Sequence, residues 1–357
     1  MRLVPLESVR INSYLAKTLY DIEGRVLLNE GTKINTVLIE KLRSFNIDLL
    51  YIIDDLSNDD IKNIIKPDLR NKALELINST FKNAEISGLS NDNDEYLKSV
   101  YLLAEELLDA ILSNDDLLPY LVDIRNLNLN TYNHCVNVAI ISLVVGINLK
   151  LNRTELLNLA TGALIHDIGK AFIYKGLVMK DAPLTYDEFE LMKNHCQKGY
   201  NYIENNAFIN NDIKMIVLQH HERIDGLGYP NGLFGNQINK LAKIVSIADI
   251  YDMLTSQKYY IQSMCASDAL EYIMSHAGTI FDFNIVKVFS KVIVPFPYGT
   301  VVRLSNGDLG IVKETFSNFP LRPNIKIIKS NIKENEGTTI SLINELSIVI
   351  SHIEKVV

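Results

Sequence analysis

A mainly α-helical core, with a small α+β module before it and a small β-rich appendage after it, is the fold class this sequence predicts. Three observations predict it. From about residue 117 to 293, apolar residues recur at helical spacing almost without interruption. Before residue 55 and after residue 294, short β-branched and aromatic runs separated by turn residues replace that pattern. The chain of 357 residues exceeds one domain's usual share, and a composition 47% hydrophobic and 22% charged suffices to bury a large core.

Residues 1–55 read as the α+β module. Leu15–Tyr20 and Arg25–Leu28 flank a turn at Asp21-Ile22-Glu23-Gly24. Asn35 or Thr36 caps a helix through Phe45, with Val37, Leu38, Leu42 and Phe45 on one face, and Leu49–Ile53 reads as a strand. The module has no histidine, cysteine or glycine-rich phosphate loop, which favours packing or regulation over catalysis. Residues 56–116 form a helical linker region: an acidic connector at Asp54–Asp60, then helices at 68–86 and 95–113 separated by the polar stretch Ser87–Asp94. Within 117–293 the periodicity predicts helices at 131–149, 153–166, 186–205, 210–221, 239–257, 266–276 and 281–293. The pattern changes at Pro295-Phe296-Pro297-Tyr298. Residues 294–357 then hold strands at Thr300–Leu304, Leu309–Lys313 and Ile325–Ile328, with Ser305–Asp308 as the first turn.

The net charge of −8 argues against binding a nucleic-acid polymer, which wants a basic face, but leaves room for a small anionic substrate at a local cationic site. Cys135, Cys196 and Cys265 are sparse, odd in number and without a C-x-x-C pair, so they read as reduced thiols. The first residues lack a signal-peptide core. The longest apolar run, Val138–Ile147, is far short of the ~20 residues a spanning helix needs. A soluble cytoplasmic protein with no membrane span is the expectation.

The chemistry gathers around Ala163-Leu164-Ile165-His166-Asp167-Ile168-Gly169-Lys170. Adjacent imidazole and carboxylate can ligate metal together, the carboxylate bridging two ions, and Lys170 lies at i+4 from His166, where its ammonium can reach a phosphate. His134 and His195, each alone on a helix, are weak ligand signals, and their neighbours Cys135 and Cys196 point ~100° away around a helix, so both cysteines read as packing residues. The doublet His220-His221 is stronger, because two consecutive imidazoles are costly to bury without partners. Asp249 and Asp252 put carboxylates at i and i+3 on one face of an otherwise apolar helix, which calls for a metal or a cation. Five histidines and two aspartates on several helices are too many for one tetrahedral zinc site, and suit two ions sharing a carboxylate. The glycine-rich loop Asp225–Gly232, directly after the His-His pair, reads as substrate-facing.

Together these strings resemble the HD-GYP family, a subgroup of the HD metal-dependent phosphohydrolases. The resemblance rests on His-Asp-Ile-Gly-Lys at 166–170, His-His-Glu-x-x-Asp-Gly-x-Gly-Tyr-Pro at 220–230, and Ala-Asp-x-x-Asp with Leu-Thr-Ser at 248–256. It implies an HD-type helical bundle over 117–293 and hydrolysis of cyclic di-GMP to the linear dinucleotide pGpG, or on to GMP. By position, it implies His134, His166, Asp167, His195, His220, His221 and Asp249 as ligands of two divalent ions, iron or manganese, with Asp167 as the bridge. Some members hold a third ion through a glutamate where this chain has Asn130. Lys170 would contact the scissile phosphate or assist the leaving 3′-oxygen. Asp252 would support the ligands or orient substrate. Asp225, Gly228 and Tyr229 would face the substrate. After Leu-Thr-Ser the family carries two phosphate-gripping cations. Here Lys258 keeps the first without an arginine's bidentate geometry, and Ile261 replaces the second.

The leading reading is therefore a cyclic dinucleotide phosphodiesterase in which a hydroxide activated by two metals attacks phosphorus. Two other readings stand beside it. One is a module that binds the dinucleotide with little turnover, motivated by Lys258 and Ile261; the other is an HD phosphohydrolase acting on a different nucleotide. A homodimer or a signalling partner is left open, as is the role of the flanking modules.

Overall fold

The computed structural model describes residues 2–16, 18–20, 26–45, 47, 49–53, 65–88, 94–113, 131–178, 180, 182–256, 264–316 and 318–354. The expected turn at 21–24, the acidic connector at 54–60, Asn130, Lys258 and Ile261 lie outside them. The contacts divide the chain into two compact units. One gathers the described residues up to Ile53 with those from Ile293 onward, and the other runs from Ile65 to Val292.

In the first unit, β1 (Arg2–Pro5), β2 (Tyr14–Leu15), β3 (Leu19–Tyr20), β4 (Val26–Leu28), α1 (Thr36–Ser44) and β5 (Leu49–Ile53) make the N-terminal module. β5 is central, with β1 and β2 antiparallel on either side, and β3 pairs with β4 separately. The run expected as one strand at 15–20 is thus split between two sheets, and β1, too short to show an alternating pattern, was not anticipated. Asn35 caps α1 by accepting the Leu38 N–H at 2.9 Å. Leu15, Ile34, Leu42, Ile47, Leu50 and Ile52 are buried.

The C-terminal part of this unit is a five-stranded antiparallel sheet of β6 (Val301–Leu304), β7 (Leu309–Glu314), β8 (Asn324–Lys329), β9 (Thr339–Ser341) and β10 (Ile350–Ile353), in the order β10-β6-β7-β8-β9. Phe296, Val302, Leu304, Val312, Ile325, Ile327 and Leu342 form its core. The sequence reading found three of the five strands. It missed β9 and β10, which are short and carry few buried side chains.

The second unit is helical, as predicted: α2 (Pro67–Ser87), α3 (Asp94–Leu112), α4 (Thr131–Asn148), α5 (Arg153–Ile165), a 3-10 turn at Ile168–Phe172, α6 (Lys175–Val178), α7 (Tyr186–Lys193), α8 (His195–Ile203), α9 (Asn211–Gln219), α10 (Lys240–Thr255), α11 (Ala266–Ser275) and α12 (Phe283–Val292). Their ends follow local chemistry. Asn152 with Glu155 and Thr185 with Glu188 form capping boxes for α5 and α7, and Asn210 and Asn239 cap α9 and α10. α4, α5 and α10 are apolar on nearly every side because each is packed all round. α4 lies against α5 and α10, and α5 against α9. α2 and α3, read from sequence as a linker region, pack on this centre: α2 on α4 and the 3-10 turn, α3 on α5. Among the described residues no helix is long and apolar enough to cross a membrane.

The helix expected at 186–205 breaks at Asn194, whose N–H bonds back to Leu191 in a tightened last turn before α8 sets off from His195. α8 then presses on the 3-10 turn through a glycine pair. A Cβ on Gly169 would sit 1.8 Å from the His195 carbonyl oxygen and 2.6 Å from the Gly199 nitrogen. Neither contact can yield without moving backbone. Gly169→Ala is expected to lower the stability of the chain by at least ~2 kcal/mol in urea unfolding; an unchanged midpoint would mean that α8 and the turn are not in close contact.

Candidate metal centre

The site forms where helix ends converge. His166 terminates α5, His220 terminates α9, and His195 follows the last turn of α7. A helix's last carbonyls lack intrahelical partners. Each imidazole takes one up: Nδ1–H of His166 donates to Ala163 O at 2.8 Å, that of His195 to Met192 O at 2.8 Å, and that of His220 to Val217 O at 3.0 Å. The carbonyl accepts, so the proton is on Nδ1, and Nε2 is left with its lone pair facing inward. His195 Nε2 and His220 Nε2 lie 3.2 Å apart. Two such lone pairs facing each other repel unless a cation draws them together.

Asp167, at the end of α5, lies between these rings and is 1% exposed. Its Oδ1 is 3.4 Å from His195 Nε2 and 4.0 Å from His220 Nε2. Its Oδ2 is 3.6 Å from His166 Nε2 and 3.9 Å from His134 Nε2, and it accepts from Lys170 Nζ. The two oxygens thus face two different pairs of imidazoles. From α10, Asp249 sets Oδ1 3.0 Å from His134 Nε2 and Oδ2 3.6 Å from His221 Nδ1. Asp252, one turn on, accepts His134 Nδ1–H at 2.7 Å. The seven residues that the resemblance implies as ligands therefore form two neighbouring groups, His134, His166 and Asp167 on one side and His195, His220 and His221 on the other, with Asp249 beside both; they are carried by α4, the ends of α5 and α9, the start of α8, and α10.

Electrostatics prepares these groups as donors. Burial, opposed by Asp167, keeps His195 neutral down to about 4; burial, reinforced by His166, does the same for His220, and His221 is likewise held well below its ordinary value. Burial would raise Asp167, but Lys170 and the surrounding imidazoles hold it far below the usual carboxylate range. Asp249 is lowered in the same way against burial, chiefly by its hydrogen bond to His134. His134 differs. Burial opposes its charge, but hydrogen bonds to Asp249 and Asp252 push it up to about 10. Lys170 is also raised, Asp167 outweighing burial. His166 Nε2, Asp167 Oδ1 and Asp249 Oδ2 are buried with no hydrogen-bond partner. Four neutral imidazoles, His166, His195, His220 and His221, and ionised carboxylates with orphaned inward atoms are the donor set that hard and borderline divalent cations take, and a cation would displace the Nε2 proton of His134, so the residues fit the two-ion reading.

Several side chains have roles the sequence reading did not assign. Glu222, 3% exposed, accepts the backbone N–H groups of Asn231 at 2.7 Å and Leu233 at 2.9 Å, tying down the loop after the His-His pair. Gly228 allows that loop to close, since a Cβ there would meet Arg223 N at 2.3 Å and Glu222 Cα at 2.5 Å. Tyr229 lies against the His221 ring with centroids 4.7 Å apart, and Lys193 Nζ from α7 is 5.6 Å from its ring centre and 4.9 Å from that of Phe189. The Asp225 carboxylate is taken by Arg223 and by the Leu227 N–H at 3.1 Å. Cys196 Sγ is 3.5 Å from His195 Nε2 and within reach of the His220 and His221 nitrogens, although its place on α8 suggested a packing role. The reason is that His195 is tied back to α7, so its ring does not radiate from α8 as a mid-helix side chain would.

Residues 121–285 match the HD domain family, and residues 301–356 match the family described as the KOW domain associated with HD domain. A cyclic di-GMP phosphodiesterase of Pseudomonas aeruginosa is 32% identical over 228 residues, covering 64% of this chain and 55% of that protein. A cyclic di-GMP phosphodiesterase response regulator of Xanthomonas campestris is 38% identical over 141 residues, covering 39% of this chain and 37% of that protein. The chain thus spans about half or less of these relatives' length. In fold, the chain is similar to an HDG"Y"P protein from Bdellovibrio bacteriovorus, with a TM-score of 0.54 at 19% identity, covering 80% of this chain and 97% of that one.

Glu222→Gln replaces an acceptor-only carboxylate with one oxygen and an amide donor, so one of the two loop N–H groups loses its partner. Hydrogen exchange at Asn231 and Leu233 is expected to speed up by at least tenfold at one position, consistent with the ~1–3 kcal/mol that an unsatisfied buried group costs. Unchanged protection at both would remove the anchoring role.

Proposed function

We propose that this chain, which belongs to the HD-GYP family of HD domains, hydrolyses cyclic di-GMP to the linear dinucleotide pGpG with two divalent ions bound. The observation that carries the reading is Asp167, whose two oxygens face separate imidazole pairs: His195 and His220 on one side, His134 and His166 on the other. In this reading His134, His166, His195, His220, His221 and Asp249 would hold the two ions, with the Asp167 carboxylate available to both. Iron or manganese suits a set dominated by imidazole and carboxylate. Such a pair of ions supplies Lewis acidity at phosphorus and makes water nucleophilic at neutral pH.

The protein's own groups do the rest. Nδ1–H bonds to helix carbonyls hold three rings so that their Nε2 atoms need no reorganisation on loading. Lys170, a quarter exposed at the edge of the site, keeps its proton because Asp167 stabilises it, and its ammonium faces the charge that develops on the phosphoryl and 3′-oxygens. Tyr229, leaning on His221 under Lys193 and Phe189, provides an aromatic surface for a purine. Asp252 belongs behind His134 as support. Lys258 remains a candidate phosphate contact. The named activity of the P. aeruginosa and X. campestris relatives supports the same substrate.

The test is anaerobic purification, loading with Fe²⁺ or Mn²⁺, and separation of products from a panel of cyclic dinucleotides. Cyclic di-GMP is expected to give pGpG, chelation to stop the reaction, and Asp167→Asn to lower kcat by ~10³-fold or more. Lys170→Ala is expected to lower kcat by ~10²-fold with a smaller effect on KM. Tight binding without turnover by the loaded chain would replace this reading with the sensing one, and turnover of another nucleotide alone would replace the substrate.

A further inference from the structure

Of the two imidazoles beside Asp167 Oδ2, His166 is oriented by its own helix and His134 is not. Its Nδ1 looks away from the site toward Asp252, which accepts its proton through Oδ2 at 2.7 Å. The other oxygen of Asp252, Oδ1, accepts from Asn137 Nδ2 at 2.9 Å. Asn137 sits one turn after His134 on α4 and is 2% exposed. Its carboxamide oxygen in turn accepts from the guanidinium of Arg70, in the first turn of α2. Every member of this series has a fixed role. A guanidinium only donates and a carboxylate only accepts. An amide between them has one satisfying orientation, oxygen to Arg70 and nitrogen to Asp252. Turned over, it would oppose oxygen to carboxylate and donor to donor.

We propose that the first turn of α2 is part of the metal centre's support: Arg70, acting through Asn137 and Asp252, sets the tautomer and ring orientation of His134. The inference rests on the reading of His134 as a ligand. With Nδ1–H held by Asp252, Nε2, the atom facing Asp249 and Asp167, is the nitrogen that would give up its proton to a cation and act as the donor. Arg70 fixes Asn137, and Asn137 keeps Asp252 from rotating away. α2 lies outside the stretch that matches the HD domain and packs on both α4 and the 3-10 turn that carries Lys170. A shift of its first turn therefore acts on the ligand set directly, which gives the segment preceding the HD domain a physical means of tuning metal binding. Arg70 is a positioning residue and touches neither ion nor substrate.

Metal binding by the full chain, read without substrate, tests this. The metal-free protein is titrated with Mn²⁺ against a chromophoric chelator, and with Co²⁺ to record its visible absorption. Arg70→Met keeps the aliphatic stem and removes the donors; it is expected to weaken the His134-side ion by tenfold or more and to change the Co²⁺ spectrum. Arg70→Lys, a point charge without the planar fork, is expected to fall between Met and wild type. Asn137→Ala should give the same loss as Arg70→Met, and the double variant no more than either alone, because they act in series. Wild-type affinity in Arg70→Met, or a double loss equal to the product of the single losses, overturns the proposal. Should Arg70→Met fail to fold by circular dichroism, Arg70→Lys combined with Asn137→Ala decides by the same non-additivity. A wild-type chain that binds no ion would sink the ligand reading beneath this inference; one that binds ions but hydrolyses nothing would sink the proposed activity and leave this inference standing.

Discussion

The structure depends on one constraint: lone pairs and negative charge of several side chains are gathered where water cannot reach them. Four imidazole-bearing or carboxylate-bearing positions, His166, Asp167, His195 and His220, are at most 1% exposed. Leaving such groups unpaired costs far more than any single apolar contact returns. The helical unit meets this cost twice over. It ties the outward nitrogen of each ring to a backbone carbonyl that a helix end leaves free, and it keeps Lys170 on the central carboxylate. What remains unsatisfied, His166 Nε2, Asp167 Oδ1 and Asp249 Oδ2, points inward, where a cation serves all of it.

This explains why α5 and α9 stop at the site. A histidine in mid-helix has its nearest carbonyls already bonded. One at the last turn finds a free acceptor three or four residues back. α5 and α9 end on His166 and His220, and the break at Asn194 gives His195 the same advantage. The long, uniformly apolar helices α4 and α10 do the opposite work. They carry His134 in the first turn of α4 and Asp249 and Asp252 in the second half of α10, and those side chains are held by each other and, through Asn137, by a residue from α2.

What was legible follows from distance along the chain. The pairs His166-Asp167 and His220-His221 stand out because adjacent polar groups interrupt apolar helical runs. The loop string at 220–230 stands out in the sequence by its glycines, but its anchor does not. Glu222 reaches N–H groups nine and eleven residues later, and nothing at Glu222 itself announces that. Arg70 is further still, 67 positions from Asn137, in a segment whose pattern reads only as amphipathic helix. The helix break at Asn194 was missed because the periodicity continues through it, and Cys196 was placed by assuming that His195 radiates from the same helix.

The sequence by itself determined the fold class, a helical core between two small modules, because hydrophobic period follows directly from residue order. It also marked which residue types and motifs to look for at a site, since imidazoles and carboxylates in apolar helices have few other uses. Only the tertiary structure decided how they meet: which oxygen of Asp167 faces which rings, which nitrogen of each histidine is free, and which distant helix supports His134. Those are matters of a few tenths of an ångström between elements far apart in the chain, set by packing and hydrogen-bond geometry that no local pattern encodes.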